Sequence, residues 1–121
     1  MHITGASGKN ASEPNPDYNP MLAIPAMGSN PASWLAASFI DPNLNKPLHL
    51  QLVDEGFDTW MLYSRGSPYS RVHKEYSELS KDFWSFSWEE MGRGDIKVAV
   101  DFVNSFTGKQ VSLSGYSMGT T

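Results

Sequence analysis

The stretch Gln110-Val111-Ser112-Leu113-Ser114-Gly115-Tyr116-Ser117-Met118-Gly119 decides how this 121-residue chain is read. Its first half, Gln110 to Ser114, has the character of a short strand, and it runs straight into a serine flanked by glycines. The strongest helix signal lies just upstream. Ser87-Trp88-Glu89-Glu90 is a capping box, in which the serine and the glutamate three residues on satisfy each other's backbone donors. Trp88, Met91, Ala99, Phe102, Val103 and Phe106 then recur at helical spacing, which predicts one apolar face. Asp95 falls on that face, and Gly92 and Gly94 each weaken the first turns by roughly 1 kcal/mol relative to alanine. Gly108 ends the helix.

Working outward, Phe57 to Tyr63 reads as a strand, with Trp60, Met61 and Leu62 consecutive and apolar. Before it, Asn45-Lys46-Pro47 opens a short helix, because a proline in the first turn forfeits no hydrogen bond. Leu48, Leu52 and Val53 are expected on its apolar side, with Gly56 as a left-handed terminal residue. Met21-Leu22-Ala23-Ile24 is a further buried strand, followed by a loop from Gly28 to Ser33. Residues 5–20 are loop, with Gly5, Gly8, Pro14, Pro16 and Pro20 among Ser, Asn and Asp. Runs that are apolar on both faces suit parallel strands covered by helices. The predicted class is α/β with a mostly parallel sheet.

Composition narrows the function. Nine Lys+Arg against 13 Asp+Glu give a net charge of −4. That balance lacks the basic footprint of a nucleic-acid binder and offers no cluster for an anionic membrane surface. The longest apolar run, Met21 to Met27, is too short and proline-broken for a transmembrane span. With no cysteine there is no disulfide, zinc–thiolate or thiol chemistry. No histidine–carboxylate pattern has metal-ligand spacing, so no metal site is expected. Met1-His2-Ile3-Thr4 carries neither the basic nor the apolar region of a signal peptide. Asn10-Ala11-Ser12 is a glycosylation triplet of the kind that arises by chance.

The chemistry concentrates in Gly115-Tyr116-Ser117-Met118-Gly119, which matches G-x-S-x-G, the nucleophile elbow of α/β hydrolases. There the serine sits on a tight, strained strand-to-helix turn. Small residues two before and two after it let neighbouring backbone pass closely, and the N–H of the next residue points at the developing oxyanion. Other polar residues read as structural. Asp95 on an apolar helix face is expected to tie the helix to a neighbouring loop, with Arg65 as its partner. His73 lies in a polar segment as an ordinary surface histidine. Asp54-Glu55 and Glu89-Glu90 are capping or solvated charges. The nine aromatics between Phe57 and Trp88 are expected to serve core and loop packing.

From about Leu22 to Thr121 the sequence resembles the acid lipases, the family of gastric and lysosomal acid lipase. The most specific block is Phe83-Trp84-Ser85-Phe86-Ser87-Trp88-Glu89-Glu90-Met91, followed by Asp95 and Asp101-Phe102-Val103. Asp54-Glu55-Gly56-Phe57-Asp58-Thr59-Trp60, Ser64-Arg65-Gly66, Thr107-Gly108-Lys109-Gln110 and Gly115 to Thr121 complete the match. The resemblance implies an α/β-hydrolase fold and hydrolysis of triacylglycerols or sterol esters by a Ser–His–Asp triad, without metal or organic cofactor. It implies Ser117 as nucleophile, the backbone N–H groups of Met118 and Met27 as oxyanion hole, and Gly115 and Gly119 as the elbow glycines. A lysosomal or extracellular location is likewise implied by the resemblance alone.

The chain departs from the family pattern in two respects near this site. It reads Pro25-Ala26 where the family has His-Gly, and Met118 where the family has glutamine. In addition, the triad order of α/β hydrolases is Ser, then Asp or Glu, then His, whereas His2, His49 and His73 all precede Ser117. The expectation is that residues 1–121 form the N-terminal part of a lipase domain whose cap and C-terminal part lie elsewhere. On that reading the longer parent is a serine carboxylic ester hydrolase, and the 121 residues alone are inactive. The other reading, favoured by Pro25-Ala26, is a non-catalytic relative that binds an acyl ligand or a protein partner.

Overall fold

Leu22, Ala23 and Ile24 are all buried because their strand lies in the interior of a four-stranded mixed sheet. The computed structural model describes residues 2–3, 17–26, 28–29 and 46–121. Met27, the Asn10 triplet and most of the segments expected as loops on either side of that strand lie outside the described residues. The strands are β1 (His2–Ile3), β2 (Asn19–Ile24), β3 (Phe57–Met61) and β4 (Ser112–Gly115), in the spatial order β1-β3-β2-β4. β2 runs parallel to both β3 and β4, with Leu22 opposite Trp60 and Ile24 opposite Gly115. β1 is antiparallel to β3 and was not anticipated from the sequence.

Helix α1 (Leu48–Asp54) leads into β3. Pro47 stands just before it, at φ −55°, and its carbonyl accepts the N–H groups of Leu50 and Gln51. Gly56 takes the left-handed φ of 85° that closes such a helix. The inward side differs from the sequence reading. His49 and Val53, four residues apart, face the core, while Leu48 is 54% exposed. A seven-residue helix is too short for periodicity to fix its rotation, so docking against β3 selects the face.

The expected long helix begins where predicted but is not uniform. Ser87 caps α2 (Trp88–Glu90), a π-helical turn spans Met91–Ile96, and α3 (Lys97–Thr107) ends at Gly108 with φ 68°. A π turn is wider than an α turn, so each residue advances less around the axis and the two flanks lose a common 3.6-residue phase. Met91 and Val103 are buried, and Ala99 and Phe106 pack partly against Leu22, Ile24 and Trp60. Trp88 and Phe102, predicted on the same face, are more than half exposed. Phe102 lies at the margin, where its ring meets Trp60 edge-on at 5.9 Å. Burying side chains of this size stabilises the fold by about 1.5–3 kcal/mol each.

The aromatic cluster serves core and loop packing, as expected, with several of its rings left exposed. Trp60 and Phe83 are buried, but Tyr69, Tyr76, Trp84 and Trp88 are exposed. Among the described residues no helix is long and apolar enough to cross a membrane.

Candidate active site

The carboxyl ends of the parallel strands β2 and β4 lie side by side, and the chain turns sharply there. The Tyr116 N–H donates to the Ile24 carbonyl at 3.2 Å, extending the ladder one residue past β4. Residues Ser117–Thr120 then form a 3₁₀ turn, held by Gly119 N–H to Tyr116 O (3.0 Å) and by the Thr120 hydroxyl to Ser117 O (2.6 Å). Ser117 has φ 56° and is the one non-glycine residue with positive φ among the described residues. Such a backbone costs of order 1–3 kcal/mol and persists only where its surroundings enforce it.

Those surroundings are the two glycines. A Cβ on Gly115 would sit 2.1 Å from the Gly119 carbonyl oxygen. One on Gly119 would sit 2.5 Å from the Ile24 carbonyl oxygen. Both obstacles are backbone, which cannot swing aside. The result is an exposed serine at the tip of a turn packed backbone-to-backbone against β2.

Met118, partly buried, faces two neighbouring cavities of about 320 and 380 Å³. Ser64, Trp88, Met91 and Met118 line both, so they form the shared wall. Ile24, Ile96, Glu89 and Arg93 are among the residues of the first, and Ala26, Trp84 and Phe86 belong to the second. Apolar concavities at the carboxyl ends of parallel strands are where ligands bind in α/β sheets. Of the loop after β2, Pro25 is buried, and the Ala26 carbonyl accepts both the N–H and the hydroxyl of Ser29, at 3.1 and 2.9 Å. Met27, between Ala26 and Gly28 in the sequence, lies outside the described residues.

Arg65, which lines the second cavity, ties two elements together beside this wall. Arg65 donates its backbone N–H and its Nε to the two oxygens of Asp95, each at 2.8 Å. This is the pairing the sequence pointed to, and it fastens the loop after β3 to the π turn. The Asp95 hydrogen bond raises the Arg65 pKa, and its guanidinium also lies 5.7 Å from the Phe86 ring centre. At the head of α2, Ser87 N–H donates to the Glu90 carboxylate at 2.7 Å, and the Ser87 hydroxyl donates to it too. These bonds pull the Glu90 pKa down.

All three histidines are engaged elsewhere. His2 bonds to Asp58 and stacks on Trp60 at 3.9 Å. His73 accepts the N–H groups of Glu75 and Tyr76 at its Nδ1, both at 3.1 Å. His49 is 1% exposed on α1, and burial lowers its pKa. Sequence reasoning did not single out Ser64, Trp84 or Phe86 as cavity residues. A signal existed in Gly66, whose φ of 78° folds the loop back so that a Cβ there would meet the Trp84 ring at 2.8 Å.

A four-stranded mixed sheet with flanking helices, carrying its polar turn at the strand ends beside an apolar cavity, places the chain in the α/β class. No protein-family model matches it. Lipase member M of Mus musculus is 44% identical over 87 residues, covering 71% of this chain and 21% of that protein. Lysosomal acid lipase/cholesteryl ester hydrolase of Homo sapiens is 44% identical over 78 residues, covering 64% and 20%. Gastric triacylglycerol lipase of Rattus norvegicus is 35% identical over 117 residues, covering 94% and 28%. The homologues are acid lipases, 35–44% identical to this chain over the stretches they share. The match spans 20–28% of the length of these relatives.

Proposed function

We propose that residues 1–121 form the N-terminal part of an α/β-hydrolase lipase domain, and that the whole protein hydrolyses carboxylic esters of lipids, triacylglycerols or sterol esters, with Ser117 as nucleophile. The observation that carries this reading is the positive φ of Ser117, enforced by two glycines that have no room for a side chain. Strain of that kind presents a hydroxyl at the apex of the turn, clear of its own backbone. The names of the relatives, a gastric triacylglycerol lipase and a cholesteryl ester hydrolase among them, support the substrate class.

In the proposed reaction Ser117 Oγ attacks the ester carbonyl carbon while a histidine takes its proton. The backbone N–H groups of Met118 and Met27 stabilise the resulting oxyanion. The alcohol leaves with the proton, and water then releases the acid from the acyl-serine by the same steps. No metal or organic cofactor enters. On this reading the base lies elsewhere in the whole protein, since His2 and His73 hold other partners and His49 is buried, and the 121 residues alone are expected not to turn over ester. Fluorophosphonate labelling of the full-length protein tests this: labelling that survives Ser117→Ala would remove the assignment.

A second reading is a relative that binds an acyl ligand or a protein partner without cleaving an ester. It is favoured by Pro25-Ala26, which stand where the family has His-Gly. Full-length protein that binds a fatty acid yet resists the probe would establish it.

A further inference from the structure

The turn that follows Arg65 encloses a hydroxyl group with nothing to bond. Ser67 is 5% exposed, and its Oγ has no hydrogen-bond partner among the described residues. Both of its backbone groups are engaged. The N–H donates to the Ser64 carbonyl at 3.1 Å, and the carbonyl accepts the Ser70 N–H at 2.8 Å. The turn is cinched by Gly66 N–H to Ser70 O at 3.0 Å and by Arg71 Nε to Gly66 O at 3.2 Å. A buried polar group left unpaired is destabilising, so a fold that keeps one needs a reason. The proposed chemistry of Ser117 does not supply it.

Its place in the fold suggests one. Thr59 Oγ1 is also buried and unpaired, but Thr59 stands in the middle of β3 and lines neither cavity. Ser67 lines the second cavity, with Trp84, Phe86 and Met118. The two rings are held in position. A Cβ on Gly66 would lie 2.8 Å from the Trp84 ring and 3.0 Å from the Phe86 ring, and the Trp84 indole N–H donates to the Glu78 carbonyl at 2.8 Å. Other polar side chains around the cavity have partners. The Ser29 hydroxyl donates to the Ala26 carbonyl and the Ser87 hydroxyl to the Glu90 carboxylate. Asp95 takes Nε and Nη2 of Arg65. A step of χ1 to another staggered well moves the Ser67 hydroxyl without moving the backbone that the turn fixes.

Chemistry selects the ligand. Aromatic and methionine side chains suit an apolar body, and a lone hydroxyl suits one uncharged oxygen that accepts a hydrogen bond. A free carboxylate or phosphate would need a cation, and Asp95 already neutralises Arg65. Met118, whose backbone N–H belongs to the proposed oxyanion hole, lines the same cavity, so the oxygen belongs to the molecule being cleaved. The two substrate classes then differ in a simple way. A triacylglycerol carries further ester carbonyls besides the one under attack, and a sterol ester carries none.

We propose that Ser67 is a polar subsite of the second cavity, its hydroxyl donating to an ester carbonyl of a glyceride other than the carbonyl under attack. The substrate class rests on the hydrolase reading above, so the test avoids turnover. Full-length protein carrying Ser117→Ala is titrated by calorimetry with 1,2-dioctanoylglycerol and with its diether analogue, which lacks both carbonyls. The diester should bind about fivefold more tightly. Adding Ser67→Ala should bring the diester to the level of the diether, while binding of the diether and of cholesteryl octanoate stays unchanged. The thermal midpoint of Ser67→Ala should equal or exceed that of its parent, because an unpaired hydroxyl has been removed. A preference for the diester that survives Ser67→Ala would overturn the proposal, as would no preference while Ser67 is present, or no binding of either glyceride. So would a lowered midpoint, which would reveal a partner for the hydroxyl within the protein. Fluorophosphonate labelling is read on unmutated protein, so failure of the hydrolase reading would appear there and leave the comparison of diester with diether standing.

Discussion

Asp95 holds Arg65 from thirty residues away with both of its oxygens, one on the backbone N–H and one on the guanidinium. The pair spans the loop after β3 and the π turn, and Gly94 makes the approach possible. A Cβ there would lie 2.7 Å from Arg65 Nη2. The helix is thereby pinned at the point where its geometry is least regular, in the π turn that begins at Met91, and Arg65 itself lines the second cavity.

Removing the carboxylate should therefore loosen the wall as well as the fold. Asp95→Ala leaves a backbone N–H and a guanidinium without their acceptor, and Arg65 is partly exposed, so screening reduces the loss. An expected cost is about 1–2 kcal/mol. Asp95→Asn, which keeps an acceptor, should cost less. Urea unfolding monitored by tryptophan fluorescence provides the measurement, and unchanged midpoints for both variants would show that the pair is ornamental.

The elbow glycines make a sharper prediction, because their obstacles are backbone. Gly119→Ala drives a methyl group against the Ile24 carbonyl, and Gly115→Ala drives one against Gly119 itself. Each should destabilise the chain by about 3 kcal/mol. Gly92 has open space around its Cβ position and no positive φ, so Gly92→Ala should be neutral or stabilising by up to about 1 kcal/mol. If all three alanine variants melt alike, the close approach of β2 to the turn is wrong.

Much of this was legible from local chemistry. Ser87 and Glu90 announce the helix start, and Gly56 and Gly108 take the left-handed φ expected at helix ends. Asp95 on an apolar face implied a partner, and Arg65 is that partner. What escaped were features decided at a distance. Strand β1 is two residues long and leaves no alternation to detect. Its place is set by pairing with β3 and by His2 meeting Asp58 and Trp60. The π turn is equally silent. An unbroken helix would set Phe102, eleven residues on, above Met91. The apolar pattern offers Phe102 and Val103 alike, but the structure buries Val103 and leaves Phe102 exposed. His49 reads as polar and Leu48 as core, yet the rotation of α1 reverses them.

That reversal has a pH consequence. Burial lowers the His49 pKa below its ordinary 6.5. The unfolded chain then binds the proton more readily than the folded one, so stability is full above 6.5 and declines as pH falls toward the folded value. The urea midpoint should drop on acidification through this window, and His49→Gln should flatten the drop. A wild-type profile that is level from pH 7 to 5 would contradict the burial of the neutral ring.

Ser117 carries the last prediction. A serine hydroxyl is a weak nucleophile until a base takes its proton, and that base needs an orienting partner. His2 is held by Asp58 and Trp60, His73 Nδ1 is occupied by two backbone N–H groups, and His49 is enclosed on α1. Losing triad members typically leaves the ~10³–10⁴-fold acceleration over water that binding and the oxyanion hole provide. The 121-residue chain should accordingly neither hydrolyse a short-chain nitrophenyl ester nor react with a fluorophosphonate probe. The full-length protein should do both, and Ser117→Ala should abolish both. Labelling of the short chain at Ser117 would mean that one of the three histidines leaves its partners and reaches the serine. His49→Gln and His73→Gln would then identify which. Esterase activity that persists in full-length Ser117→Ala would instead reduce the strained turn to a structural feature, with the nucleophile elsewhere in the protein.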